Sequence, residues 1–217
     1  MSNNALFHEL MEQKLIAIFR GVPLSKVSLT ASSLEAGGIR FIEICFDQKS
    51  ADPLADFTEQ FNAVRSAVTK QTHVGAGTVL TPEQLRHAHG LGCEMIVSPC
   101  TDPELIRYTK SLGMLSIPGA MTPTEIANAY AAGADLVKLY IVDNPGYVQM
   151  LQGPLGHIPL QVTCNVSLET IPHFLKAGVK AFGTKAMLPN HLLEPMDCLG
   201  IQSLASQFCA AVLGTQM

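Results

Sequence analysis

Short apolar runs rich in Val, Ile and Phe recur roughly every twenty to thirty residues, and a longer segment with helical spacing follows each one. There are eight: "LIAIFRG" from Leu15, "RFIEICF" from Arg40, "HVGAGTVL" from His73, "EMIVSP" from Glu94, "MLSIPGA" from Met114, "DLVKLYIV" from Asp135, "LQVTCNV" from Leu160 and "KAFGTKAML" from Lys180. Glycines at Gly37, Gly92, Gly113, Gly133 and Gly178 stand where a left-handed residue would stop each helix before the next strand. Helix starts are marked by "TPEQL" from Thr81, "TDPEL" from Thr101, "TPTEI" from Thr122 and "SLETI" from Ser167, which read as capping boxes or as proline in the first turn.

Strands alternating with helices require a parallel sheet covered by helices. Eight units in a chain of 217 residues fit a closed (β/α)8 barrel forming a single domain over residues 1–217. Its core runs from about 15 to about 190, and an amphipathic helix over about 197–213 packs on the barrel or on a neighbouring subunit. An open doubly wound sheet is the alternative. Against it, the first strand-helix turn, "FRGVPLSK", lacks the GxGxxG that positions a dinucleotide, and "GAGTVL" at Gly75 lacks the basic residue of a phosphate loop.

With 47% hydrophobic and 15% charged residues the chain can bury a large core, and a net charge of -4 without long charged runs points away from nucleic acid and membrane surfaces. A small molecule is the expected partner. The segment "MSNNALFHELMEQK" lacks the basic flank and unbroken apolar region of a signal peptide, and no run reaches the roughly 18 to 20 apolar residues of a membrane span, so a cytoplasmic protein is expected. Six scattered cysteines read as reduced core thiols. His87 and His89, two apart on a helix, point in different directions, and no metal or cofactor site is expected.

In a barrel, chemistry belongs at the carboxyl ends of the strands. The eight strands offer there, in turn, Arg20; Glu43 and Asp47; Thr78; Ser98-Pro99; Pro118-Gly119; Lys138; Thr163-Cys164-Asn165; and Gly183-Thr184-Lys185. Residues two apart share a strand face, which groups Glu43 with Cys45 and Asp47, and Lys138 with Leu136 and Tyr140. A lysine and a glutamate inside apolar strands can therefore point into one barrel. A buried salt bridge, or groups snorkelling outward between helices, would leave the same trace in the sequence. The chemistry that fits is covalent amine catalysis. Apolar surroundings favour a neutral amine, which attacks a ketone to form an imine, and a nearby carboxyl moves the protons.

The series "FIEI", "VGAGTVLTPEQL", "IVSP", "IPGAMTPTEI", "GADLVKLY" and the glycine after "KAF", from about Leu15 to about Leu188, resembles the class I aldolases that cleave 2-dehydro-3-deoxy-6-phosphogluconate or 4-hydroxy-2-oxoglutarate. The resemblance implies a (β/α)8 barrel, usually a homotrimer, that works without metal and releases pyruvate and an aldehyde. It implies Lys138 as the Schiff-base lysine and Glu43 as the general acid-base residue. Thr78 and Pro99 would line the pyruvate part of the site and Arg20 would face it, with Thr163, Gly183 and Lys185 as further substrate-binding positions. Three departures accompany it. Asp47 stands where many members have an arginine, Cys164-Asn165 replace two glycines that approach a phosphate, and "KLYIVD" lacks the usual proline after the lysine. Lys185, where the family often has serine, would restore a positive charge for an anion. The expected activity is cleavage of a 4-hydroxy-2-oxo acid. Imine-based decarboxylation or dehydration, and binding of a sugar acid without turnover, are the alternatives.

Overall fold

The computed structural model describes residues 3–214. Its nine strand segments are β1 (Leu15–Phe19), β2 (Phe41–Cys45), β3 (His73–Gly77), β4 (Met95–Val97), β5 (Leu115–Ile117), β6 (Gly119–Ala120), β7 (Val137–Leu139), β8 (Leu160–Val162) and β9 (Ala181–Thr184). Every pairing is parallel, in the order β5-β4-β3-β2-β1-β9-β8-β7-β6. The two ends of that order, β5 and β6, are halves of one strand divided at Pro118, which has no N–H to give. The amide of Ser98 donates to the Ile117 carbonyl at 3.1 Å and that of Lys138 to the Pro118 carbonyl at 2.8 Å, so the sheet closes across the break. The eight strands expected from the sequence are thus present, the fifth in two pieces. The sheet is a barrel and not the open alternative.

Ten helices accompany the strands among the described residues: α1 (Asn3–Gln13), α2 (Leu24–Ala36), α3 (Pro53–Ala67), α4 (Pro82–Leu91), α5 (Pro103–Ser111), α6 (Pro123–Ala131), α7 (Pro145–Leu155), α8 (Ile171–Lys176), α9 (Asn190–Leu193) and α10 (Cys198–Leu213). Thr81 caps α4 by accepting from the Gln84 amide, and Thr122 forms a full capping box with Glu125 at α6. At α5 the cap is Asp102, which accepts from the Glu104 and Leu105 amides, while the Thr101 hydroxyl donates across to the Gly119 carbonyl. Ser167 starts a turn closed on Thr170, one turn ahead of α8, so "SLETI" is not itself a helix cap.

Of the glycines expected to stop helices, Gly92, Gly113, Gly133 and Gly178 are left-handed, but after α2 the left-handed residue is Gly38. Gly37 has a different task. A Cβ there would meet Ala205 Cβ at 2.5 Å, because α10 lies directly on the end of α2. The carboxyl-terminal helix, capped by Asp197, therefore packs on its own barrel, and the Ser206 hydroxyl donates to the Gly37 carbonyl at 3.2 Å.

The amino-terminal helix closes the bottom of the barrel. Leu6 and Leu10 of α1 enter a buried cluster with Ile16, Phe41, Met95, Leu115 and Ala181, from five strands, and with Leu136, the residue before β7. Full burial of each leucine contributes about 1.5–3 kcal/mol. Beside the plug, the buried His73 ring is held at both nitrogens, by Glu94 Oε2 at 2.9 Å and Glu9 Oε2 at 3.2 Å, and it packs on Phe41 with centroids 4.9 Å apart. Burial acts to lower the imidazole's affinity for its proton, but the two carboxylates outweigh it and raise the pKa above the ordinary 6.5.

A histidine with a raised folded pKa contributes its stabilisation fully below the unfolded value, and the contribution disappears as pH rises through the folded value. Denaturant unfolding should show this loss as pH climbs from below 6.5 past the folded pKa. His73→Gln should cost about 1–3 kcal/mol at the acidic end of that window and flatten the slope.

Candidate active site

Side chains on the inward face of a closed parallel sheet compete for little volume. Lys138, on β7, is 4% exposed, and its register partners are Gly119 on β6 and Gln161 on β8. Glu43, on β2 and 1% exposed, pairs with Ile18 on β1 and Gly75 on β3. Partners in register lie on the same side of a sheet; register leads from Lys138 through Gln161 to Ala181 and from Glu43 through Gly75 to Met95, both members of the apolar layer that α1 plugs, so both side chains face the barrel interior.

Small residues make that level possible. A Cβ at Gly77 would overlap the Glu43 carboxylate, one at Gly75 would overlap Met95, and one at Gly183 would overlap the amide of Gln161. The glycines of "GAGTVL" thus cradle side chains of neighbouring strands. Gly119 leaves room for the Pro99 carbonyl in the same way. A glutamate on β2 and glycine at Gly77 are therefore one feature in two places.

Cys45 lies on the Glu43 face, and its thiol donates to Glu43 Oε1 at 3.4 Å. Burial pushes this thiol far above its ordinary range and the Glu43 charge adds to the effect, against an opposing pull from Arg20 and Thr78. The sulfur therefore remains a neutral donor to the carboxylate. Glu43 Oε2 has no hydrogen-bond partner, and neither do Thr163 Oγ1 nor the two polar atoms of the Gln161 amide. These are the four buried side-chain polar atoms without partners among the described residues. All four belong to inward positions of β2, β8 and the residue following β8. Each unmet buried group costs about 1–3 kcal/mol, and such groups mark places where a ligand or water completes the bonding.

At the rim, Arg20 Nη2 donates to Thr78 Oγ1 at 2.8 Å. Thr78 has a φ of +58°, a strained value for a β-branched residue, and the Gln48 amide holds it by donating to its carbonyl at 2.7 Å. Gln48 in turn accepts from Gln84 Nε2 at 3.0 Å. A cavity of about 540 Å³ opens here, with Arg20, Cys45, Asp47, Gln48, Lys49 and Thr78 in its lining. On β7 and just beyond it, the Tyr140 ring centroid lies 5.6 Å from the Lys138 ammonium.

Several expected positions fall elsewhere. β2 ends at Cys45, so Asp47 leaves the strand alternation, becomes exposed and accepts from the Lys49 amide at 2.9 Å within its own turn. Lys185 follows β9 into solvent, with no partner for its ammonium among the described residues. Asn165 adopts φ +53°, a glycine-like backbone, but its side chain donates to the Asp143 carbonyl at 3.4 Å and ties together the loops after β7 and β8. Of the six free cysteines only Cys45 and Cys93 are buried, and Cys100 is exposed, so the expectation of six core thiols is too broad. His87 is engaged by Thr58 Oγ1 at 2.7 Å. Sequence reasoning passed over Gln48 and Gln161. The second was open to detection, since Gln161 stands two residues before Thr163, on its strand face, within an apolar run.

Comparison with known proteins gives the family of this barrel. The family profile of KDPG and KHG aldolase matches residues 7–204. A protein of Rhizobium meliloti (strain 1021) described as a probable 2-dehydro-3-deoxy-6-phosphogalactonate aldolase is 32% identical over 184 residues, 82% of each chain. The 2-dehydro-3-deoxy-phosphogluconate aldolase of Pseudomonas aeruginosa PAO1 is 29% identical over 82% of this chain and 79% of its own. A solved structure described as native KDPGal superposes with a TM-score of 0.80 at 27% identity, covering 93% of this chain and 95% of its own. With the profile spanning nearly all of the barrel and such identity over most of the chain, this protein belongs to the KDPG and KHG aldolase family.

Proposed function

We propose that Lys138 and Glu43 carry the class I aldolase chemistry of this chain, cleaving a 4-hydroxy-2-oxo acid to pyruvate and an aldehyde without a metal. The observation that supports this most directly is that a 4% exposed lysine and a 1% exposed, half-satisfied carboxylate both face the interior of the same barrel. A buried ion pair alone is a weak reason to keep such groups.

In this reading the Lys138 amine adds to the C2 carbonyl, and loss of water gives a protonated imine. Glu43 takes the proton from the C4 hydroxyl. The C3–C4 bond breaks, its electron pair enters the C2–C3 enamine, and C4 leaves as the aldehyde carbonyl. Protonation at C3 and hydrolysis of the imine then release pyruvate and restore the amine. Arg20 and Thr78, joined at the rim, are suited to the substrate carboxylate, and Pro99 lines the wall between them and Lys138. Thr163 and Gly183 face the same interior.

The chemistry is more strongly supported than the phosphorylated tail. Asn165 fills the approach that two glycines would leave open, and Lys185 is solvated. We therefore infer a weak dependence on phosphate, with the unphosphorylated 4-hydroxy-2-oxo acids among the substrates. A cytoplasmic homotrimer is the assembly proposed. Exposed Met121, Tyr130, Ile141 and Met150 on and beside α6 and α7 support association through that side.

Incubation with pyruvate and borohydride should leave a reduced adduct on the peptide carrying Lys138, absent from Lys138→Met. An unmodified Lys138 at every pH where the fold persists would sink the imine mechanism. Glu43→Gln should lower kcat for cleavage by about 10²–10⁴. Gly77→Ala, which drives a methyl into the Glu43 carboxylate, should cost about 10²-fold in kcat while pyruvate trapping persists. With lactate dehydrogenase as the coupling enzyme, phosphorylated and unphosphorylated sugar acids should differ in kcat/KM by less than about tenfold, or about 1.4 kcal/mol. A far larger preference for the phosphorylated acid refutes that inference. Light scattering should give three chain masses in solution.

A further inference from the structure

We propose that Gln161 is a specificity-determining residue of the aldol step: its amide binds the C4 oxygen of the substrate and selects the configuration at that carbon. The inference rests on the imine reading of Lys138 and goes on from it to the other half of the molecule.

Gln161 is 0% exposed, as deeply placed as Lys138 and Glu43, and both its Oε1 and Nε2 lack a partner. A buried primary amide with neither function met is costly in an apolar strand, since Leu or Met would fill a similar volume without that loss. The fold nevertheless makes room for it. Gly183 is the residue whose missing Cβ would collide with the Gln161 amide, and Ile18 borders the same space. The amide therefore leans over β9 toward β1, on the stretch of wall that runs from Lys138 on β7 through β8, β9 and β1 to Glu43 on β2.

Charge divides the site between the two ends of the substrate. The rim guanidinium, Arg20, is turned to Thr78 on the β3 side, where an anion is best met. Opposite it, the β8 wall presents neutral groups only, the Gln161 amide and, one inward position higher, the Thr163 hydroxyl. With C2 fixed to Lys138 and C1 drawn to Arg20 and Thr78, C3 and C4 extend along the wall toward Glu43. The C4 hydroxyl must reach Glu43 to lose its proton. As the C3–C4 bond breaks, this oxygen becomes the aldehyde carbonyl, and in the reverse direction it gains negative charge as the enamine adds. Gln161 Nε2–H donates to that oxygen in both directions, while Oε1 accepts from the neighbouring hydroxyl or a water. A neutral donor binds hydroxyl and carbonyl alike and does not compete with Glu43 for the proton.

Two donors on different strands define which face of the aldehyde meets the enamine, and hence the C4 configuration. Gluconate-type and galactonate-type 2-oxo acids differ at that carbon, and relatives of both kinds match this chain.

The test separates imine formation, which needs no C4, from the steps that do. Gln161→Leu and Gln161→Met are compared with the wild type in borohydride trapping with pyruvate, in cleavage, and in addition of pyruvate to D-glyceraldehyde and its 3-phosphate with the C4 epimers resolved by chromatography. The variants should form the pyruvate adduct within about twofold of the wild-type rate and lose about 10–100-fold in cleavage kcat/KM. The epimer ratio should move toward one to one. Unchanged cleavage and epimer ratio in the folded variants overturn the proposal, as does an equal loss of trapping and cleavage, which a purely structural role would produce. If Gln161→Leu does not fold, Gln161→Met, of similar length and flexible but without the donor, carries the comparison. Failure of the wild type to form the adduct overturns the imine reading, and this one with it.

Discussion

The closed parallel barrel sets one constraint that governs the rest: its interior has a fixed, small volume, and every large inward side chain needs a small neighbour. Met95 lies over Gly75, Glu43 over Gly77 and Gln161 over Gly183. Closure itself depends on Pro118, where the fifth strand breaks and its carbonyl accepts the amide of Lys138. The lysine's backbone is thus fixed at the point where the sheet meets itself, and its side chain enters a space already shaped by its neighbours. A site built this way has little freedom to rearrange, which is the condition for holding reacting groups in productive geometry.

Stability and function are allotted to opposite ends of the barrel. At the bottom, Leu6 and Leu10 complete an apolar layer, and the polar groups are matched, His73 being held at both ring nitrogens. In the middle and at the top, four buried polar atoms go without partners and Thr78 is held at a positive φ. A ligand or water completes the bonding of such groups, whereas the lower layer already has its partners within the chain. That asymmetry is the physical sign of a site awaiting a ligand.

Much of this was legible in the residues. Strand number, helix caps at Thr81 and Thr122, and the inward facing of Lys138 and of Glu43 follow from alternation, capping chemistry and period-two faces, all local properties. The misreadings of Gly37 and Thr101 share a cause, contacts between elements far apart in the chain, and that of Asp47 comes from where the strand ends. Gly37 looked like a helix stop and is instead a landing place for α10, with Gly38 taking the left-handed turn. Asp47 was grouped with the interior because the strand was read two residues too long, and the Lys49 amide draws it away. Thr101 was read as a cap, but its hydroxyl reaches Gly119 on the next strand and leaves the cap to Asp102.

By itself, the sequence determined the alternation of strands and helices, the parallel sheet this alternation demands, and the presence of one lysine and one glutamate inside apolar strands, because these depend on residue type and spacing alone. Only the tertiary structure decided that the sheet closes at Pro118, that α1 fills the lower opening, and that the glycines of β3 and β9 receive the carboxylate of Glu43 and the amide of Gln161. Those outcomes depend on the shear and curvature of the closed sheet, which bring together side chains separated by tens of residues and leave no trace in any local pattern.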